Sequence, residues 1–276
     1  MVAQSKLTIL LRTKILDCLL IGLRLYMRFS PFKRGRGVFI RPVEALKSFG
    51  WPAPTVRLNN GLAMELQTSL VGWTCFERGE WEPMQTKVLT QHLKKDSVVV
   101  NVGANTGYYT LLAASAIGAG GKVFAFEIQP RMVAILKRNL ELNNFHEIVT
   151  VVDAGCFSSE GSARIFCSGD PGTARVDFGN LGVQVRLIRL DDYIAEHVFA
   201  RLDLILIDVE GADFDVIKGA ADALAKFRPV VIAEVDHLRA FGGSEEDMIS
   251  FMSELNYSAR VVDSEYSRDI LFEPMG

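Results

Sequence analysis

Four side chains with proton-transfer chemistry recur at comparable places in this chain. Asp208 and Glu210 follow the apolar run Leu202 to Ile207. Glu234 ends the run from Pro229, and His237 follows it closely. Runs of this kind read as strands buried on both faces. Open α/β sheets bind ligands at the carboxyl ends of their strands. A carboxylate or imidazole held there can take a proton from a substrate hydroxyl as its oxygen attacks an electrophile. The same carboxylates could instead hold a hard divalent cation. Simpler roles are helix capping, an ion pair of Asp208 or Glu210 with Arg189 or Arg201, and a surface position for His237. Two carboxylates one residue apart at a strand end are expected to project to the same side.

A second set of residues suits a nucleotide-like cofactor. Val98 to Val102 is a β-branched run leading into Gly103, Ala104, Asn105, Thr106 and Gly107, and an apolar helical pattern follows at once. Glycines permit the sharp turn and close backbone approach to a ligand, and the following helix N-terminus carries free N–H groups. Lys122 to Phe126 then forms a second strand ending in Glu127, twenty residues after Gly107. An acid there accepts hydrogen bonds from ribose hydroxyls. Asp153, after the third strand Glu147 to Val152, could accept from an adenine amino group or could serve as a turn residue.

The elements that position these groups alternate. The order is βαβαβ, an irregular β insert over Phe157 to Leu187, then βαβαβ with a closing strand pair. This pattern predicts a doubly wound α/β sheet. Within the insert, Gly169 to Asn180 reads as a loop of a substrate pocket. Leu190 to Tyr193 begins a short helix with an acid cap, and Phe214 to Phe227 is helical with a break at Gly219. Trp81 to Leu93 is a helix leading into the first core strand. Asn59-Asn60-Gly61 between apolar runs marks a tight hairpin.

The 276 residues carry a net charge of -3. Residues 1–41 hold nine Lys or Arg against the single acid Asp17, net +8, so the other 235 residues carry -11. Lys6 to Phe29 reads as an amphipathic helix, with Lys6, Lys14, Asp17, Arg24 and Arg28 on one side. Leu16, Leu19, Leu20, Leu23 and Met27 lie largely opposite. Its longest uncharged run, Cys18 to Leu23, falls far short of the about 20 residues of a membrane span, and no small-residue cleavage site follows. The helix suits either an anionic membrane surface or packing on protein. Residues 1–54 are therefore expected to be a basic extension and linker, and residues 55–276 the functional domain with its hairpin and leading helix. The cysteines (Cys18, Cys75, Cys156, Cys167) form no metal-binding pair or disulfide framework, which favours a reducing compartment. The expected location is cytoplasmic, with peripheral membrane contact through residues 6–36.

Taken together, these motifs resemble the FkbM-type family of S-adenosylmethionine-dependent methyltransferases over roughly residues 80 to 262. The family's D-V-G-A-N-x-G-x-x-T loop reads Asn101 to Thr110, with Asn101 in place of the Asp. F-E-P-x-P reads Phe126 to Pro130, with Ile128 in place of the first Pro. N-x-x-x-N is Asn139 to Asn143, L-D-D is Leu190 to Asp192, and P-x-x-x-x-E is Pro229 to Glu234. I-D-V-E-G-A-E is Ile207 to Asp213, ending in Asp. The resemblance implies a Rossmann-like class I methyltransferase sheet of about seven strands, the last antiparallel. It implies S-adenosylmethionine held by Asn101, Gly103, Ala104, Asn105, Gly107, Glu127 and Asp153. Asn101 keeps an acceptor but loses the charge, which predicts weaker cofactor affinity. The implied reaction is O-methylation of a sugar, glycolipid or polyketide-like hydroxyl, with Asp208, Glu210, Glu234 or His237 as base. The acceptor is a small molecule or a glycan or lipid-linked hydroxyl, with no nucleic acid partner and no metal. A nicotinamide-dependent oxidoreductase would need a glycine at Asn105 and a Tyr-x-x-x-Lys pair. A non-catalytic membrane-associated module with a degenerate cofactor fold has Asn101 as its support.

Overall fold

A computed structural model describes residues 6–29, 45–67, 69–167, 174–177, 182–263 and 266–276. Most of the linker and of the Gly169 to Asn180 loop lies outside these residues. The described residues divide into two compact units, one ending at Trp81 and one beginning at Glu82.

The first unit holds α1 (Lys6–Phe29), a 3-10 turn (Leu46–Phe49), β1 (Thr55–Arg57), β2 (Ala63–Glu65) and α2 (Leu70–Arg78). The strands pair as the expected antiparallel hairpin. Its turn closes through the Gly61 N–H donating to the Leu58 carbonyl and the Leu62 N–H to Asn60 Oδ1. Ser69 caps α2 by accepting from the Gly72 N–H, and Gly79 ends it in the left-handed conformation. No sequence pattern singled out α2. On α1, Leu16 and Leu20 are buried and Leu19 is exposed. Among the described side chains of α1 only Leu16 and Leu20 are buried, and the helix carries apolar residues on most of its circumference.

The second unit begins with α3 (Pro83–His92), whose start comes two residues after the expected Trp81 because proline takes the first helical position. Next come β3 (Val98–Val102), α4 (Tyr108–Ile117), β4 (Lys122–Phe126), α5 (Pro130–Leu142) and β5 (Val149–Val152). The insert forms β6 (Gly155–Phe157), β7 (Gly161–Cys167), β8 (Ala174–Asp177) and β9 (Val183–Arg189), a separate four-stranded sheet in the order β6-β9-β7-β8. The chain closes with α6 (Leu190–Glu196), β10 (Leu204–Ile207), α7 (Asp213–Lys218), α8 (Ala221–Phe227), β11 (Val230–Glu234), α9 (Glu245–Glu254), β12 (Tyr257–Asp263) and β13 (Arg268–Pro274).

The main sheet runs β12-β13-β11-β10-β3-β4-β5. β13 is antiparallel to both its neighbours, β11 and β12, and the other pairs are parallel. This is the seven-stranded, singly antiparallel sheet expected. Val99, Val100, Ile205, Ile207, Val231 and Ala233 are buried on its two faces, which explains why these runs do not alternate. The order reverses around β3, so the carboxyl ends of β3, β4 and β10 border the crevice where such sheets bind ligands.

Candidate active site

The turn after β3 is held open by the protein itself. Gly103 and Gly107 have φ of +83° and +97°, the left-handed region that favours glycine. A Cβ on Gly103 would lie 1.8 Å from the Asp208 carbonyl oxygen, and one on Gly107 would lie 2.5 Å from Leu136 Cδ1. Both glycines are therefore required by the close approach of the β10 end and of α5. Asn139 on α5 donates its side-chain amide to the Thr106 carbonyl at 2.7 Å, and Asn143 donates to the Asn139 carbonyl. The N-x-x-x-N segment thus pins the turn. Asn101 is buried and donates its amide to Thr110 Oγ1 at 2.8 Å, which ties β3 to α4. Ala104 is buried too, and its N–H donates to the Phe126 carbonyl.

Glu127 ends β4 beside this turn. One carboxylate oxygen accepts the Asn105 N–H at 2.6 Å and the other accepts the Gln129 N–H at 2.7 Å. Burial raises its pKa and the backbone donors oppose the rise, while the nearby Asp153 adds to it. The Ile128 N–H also donates to it; a carboxylate offers about four acceptor positions, so at least one remains for a ribose hydroxyl. Asp153 is exposed next to β5. Asn105 has φ of +50°, with its own Oδ1 accepting the Thr106 N–H.

The acids after β10 separate. The strand ends at Ile207, and Glu210 has φ of +58° in the turn that follows, so strand alternation does not set the two side chains. Asp208 shares a hydrogen bond with Glu234, and Glu210 faces His237 at 3.9 Å. The anticipated arginines are engaged elsewhere. Arg201 pairs with Asp203, and Arg189 with Asp191, Asp192 and Asp222. Burial, then neighbouring carboxylates, pushes both Asp208 and Glu234 well above the usual carboxylate range, so the pair holds a proton.

Other motif acids are structural. Asp213 accepts the Val209 and Gly211 N–H groups at 3.2 and 3.0 Å, fixing the turn. Burial moves it up to about 7. Asp191 does not cap its own helix. It accepts from the Asp222 and Ala223 N–H groups at the start of α8.

Sequence reading missed Glu82, Tyr109, Ser267 and Asp269. Tyr109 donates to Glu82 Oε2 at 2.6 Å and also contacts Gln85. Ser267 Oγ lies 2.8 Å from Glu82 Oε1 and 3.1 Å from Asp269 Oδ2. The available signal was Asp269 itself, an acid beside the apolar run Ile270 to Phe272. Among the described residues, no group of three or more His, Cys, Asp or Glu is arranged to hold a metal ion.

A family model described as the methyltransferase FkbM domain matches residues 101–259. The chain belongs to this family. Methyltransferase sdnD of Sordaria araneosa is 29% identical over 161 residues, covering 46% of this chain and 62% of that protein. AMB antimetabolite synthetase AmbE of Pseudomonas aeruginosa is 28% identical over 201 residues, covering 57% of this chain and 9% of that protein. The match therefore spans less than two thirds of either relative. A crystal structure of methyltransferase FkbM from Methylobacillus flagellatus superposes with a TM-score of 0.48 at 14% identity, covering 86% of this chain and 71% of that one.

S-adenosylmethionine is the cofactor of such a methyltransferase domain. The FkbM domain here fits it at the ends of β3 and β4, where Glu127 retains acceptor capacity beside a turn held by backbone hydrogen bonds. The family excludes the nicotinamide reading.

Proposed function

We propose that this FkbM domain, carried by residues 55–276, transfers a methyl group to a hydroxyl oxygen of a sugar, glycolipid or polyketide-like acceptor. The supporting observation is the Asp208–Glu234 pair. It is half-buried, stands beside the cofactor turn, and has no cation partner among the described residues. Hydroxyl methylation needs a proton acceptor at that edge. S-adenosylmethionine, when bound, supplies a methyl carbon on a sulfur that departs with the C–S electron pair. Glu127 would hold the ribose hydroxyls, Asn101, Gly103, Ala104, Asn105 and Gly107 would form the wall of its site, and Asp153 would accept from the adenine amino group. Asp208 takes the proton, and Glu234 sets its charge. Glu210 and His237 form a second pair at the rim.

The test is calorimetric titration with S-adenosylmethionine, followed by methyl transfer to a panel of hydroxyl-bearing glycans, glycolipids and polyketides. Asp208→Asn is expected to lower transfer by about 100-fold or more with cofactor binding retained. Unchanged transfer would remove Asp208 as base. Absence of cofactor binding by the folded protein would leave the non-catalytic module.

We further propose that residues 6–36 contact anionic membranes, so that a cytoplasmic enzyme reaches a lipid-linked acceptor. No described helix is long and apolar enough to cross a membrane. Leu11, Ile15, Leu19, Leu25 and Tyr26 are all exposed on α1. At helical spacing they share one uncharged face, flanked by Lys14, and an interfacial helix has this composition. The +8 charge of residues 1–41 favours anionic lipid. Sedimentation with phosphatidylglycerol-containing vesicles, but not pure phosphatidylcholine, is expected, and L11E/L19E should abolish it. Equal sedimentation of variant and wild type would refute this. So would a dimer that the variant dissociates, which would assign the face to a second copy.

A further inference from the structure

Three adjacent strands bring three carboxyl groups side by side. Asp208 follows Ile207, which pairs with Ala233, so Asp208 neighbours Glu234 across β10 and β11. Glu234 and Asp269 are direct partners in the antiparallel register of β11 and β13. Direct partners point to the same face with Cβ atoms about 5 Å apart, and like charges there repel. One oxygen of each, Glu234 Oε2 and Asp269 Oδ1, is buried without a hydrogen-bond partner. Asp269 is fully buried. A proton on either carboxyl relieves such an orphan oxygen at no cost in lost solvation of a charge. From Asp269 the chain of contacts continues through Ser267 to Glu82 and Tyr109. Glu82 is itself in the left-handed region at φ of +38°. Strained backbone of this kind clusters at functional sites. Glu82, Ser267 and Asp269 all lie outside the residues matched to the family.

We propose that Asp208, Glu234 and Asp269 form one proton-holding row that accepts the proton of the acceptor hydroxyl, with Ser267, Glu82 and Tyr109 as positioning residues at its buried end. The inference rests on the O-methylation reading. The acceptor O–H bond breaks, its electron pair stays on oxygen to form the new C–O bond, and the proton passes to Asp208. The row then spreads the gained proton over its carboxyls. The groups acting on Asp269 agree with this. Burial moves it up to about 8, and Glu82, Asp208 and Asp236 raise it while the Ser267 hydroxyl opposes them. Burial and the charges of Glu82, Asp269 and Asp208 also hold the Tyr109 phenol well above its usual range. Arg268, next in sequence, is turned to Glu245 and Asp263.

Urea unfolding at about pH 5 and about pH 9 tests the row without cofactor or acceptor. A carboxyl whose folded pKa is raised keeps an extra proton in the native state. Its contribution is full below the unfolded pKa near 4 and is lost as pH rises through about 8. Asp269→Asn replaces the protonated group by a neutral isostere. Wild type is expected to lose urea midpoint from the lower to the higher pH, and Asp269→Asn to lose clearly less, while Asp208, Glu234 and Asp213 keep their share of the loss. An equal loss of stability by Asp269→Asn at both pH values would reduce Asp269 to a structural acceptor for Ser267 and overturn the row. If Asp269→Asn does not fold, Glu234→Gln carries the same comparison, and failure of both at every pH also overturns it. Once an acceptor is identified, Asp269→Asn should move the rising limb of the pH–rate profile to lower pH by about one unit, because no carboxyl there ionises beside Asp208 as pH rises through about 8. An unmoved limb refutes the catalytic part, whereas loss of cofactor binding refutes only the methyl-transfer reading beneath it.

Discussion

Glu127→Ala is expected to weaken S-adenosylmethionine binding by roughly 10- to 100-fold, the loss of one or two charge-assisted hydrogen bonds of about 1.5 kcal/mol each. Titration calorimetry of wild type and variant reads this directly. The carboxylate stands at the end of β4 with a backbone N–H on each oxygen, from Asn105 and Gln129. Those two bonds hold the side chain in one place before any ligand arrives, and preorganised acceptors bind with less ordering cost. Glu127→Gln separates charge from shape. It keeps one carbonyl acceptor and is expected to fall between wild type and alanine. An alanine variant that binds within about threefold of wild type would move the ribose site elsewhere. Near-ultraviolet circular dichroism checks that the β3–α4 turn survives, since truncation frees two backbone donors.

Gly103→Ala has the largest expected effect on stability. The added methyl carbon would meet the Asp208 carbonyl at 1.8 Å, and that atom is backbone, which cannot rotate away. The residue also sits at φ of +83°. Overpacking of about 1–3 kcal/mol and left-handed strain of about 1 kcal/mol add to about 2–4 kcal/mol, a large share of the about 5–15 kcal/mol of a typical domain. Gly242→Ala is the control. Its φ is +76°, but nothing lies within 4 Å of the added carbon, so only the strain remains. Urea midpoints of the two variants should differ clearly, with Gly103→Ala the lower. Equal midpoints would mean that the end of β10 yields, and that the close approach of the two strand ends is not fixed.

The same contact explains why the family loop and the I-D-V-E-G block occur together. Gly103 and Asp208 are 105 residues apart in sequence, yet β3 pairs with β10 so that Val102 faces Ile207. The glycine makes room for the following carbonyl. Each motif read alone is a turn, and joined by the sheet they are the two walls of one crevice.

Much of this protein was determined by local sequence. Uninterrupted β-branched runs required strands with two covered faces, and helical patterns between them required a parallel sheet. The glycine loop and Glu127 lay at the ends of neighbouring strands by spacing alone. Asn-Gly marked the hairpin, and Gly219 the helix break. These features follow from propensity and period, which act over a few residues. Tertiary structure decided the partners. Strand register set Glu234 against Asp269, and a half-buried serine, 185 residues from Glu82 in sequence, joined Asp269 to Glu82. It also gave Asp213 and Asn139 scaffolding roles that their residue types alone do not distinguish from catalysis, and it left Leu19 exposed on a helix too apolar for its pattern to choose a face. Side-chain pairing across a sheet depends on which strands meet and in what register, and that choice is made by burial of the whole core.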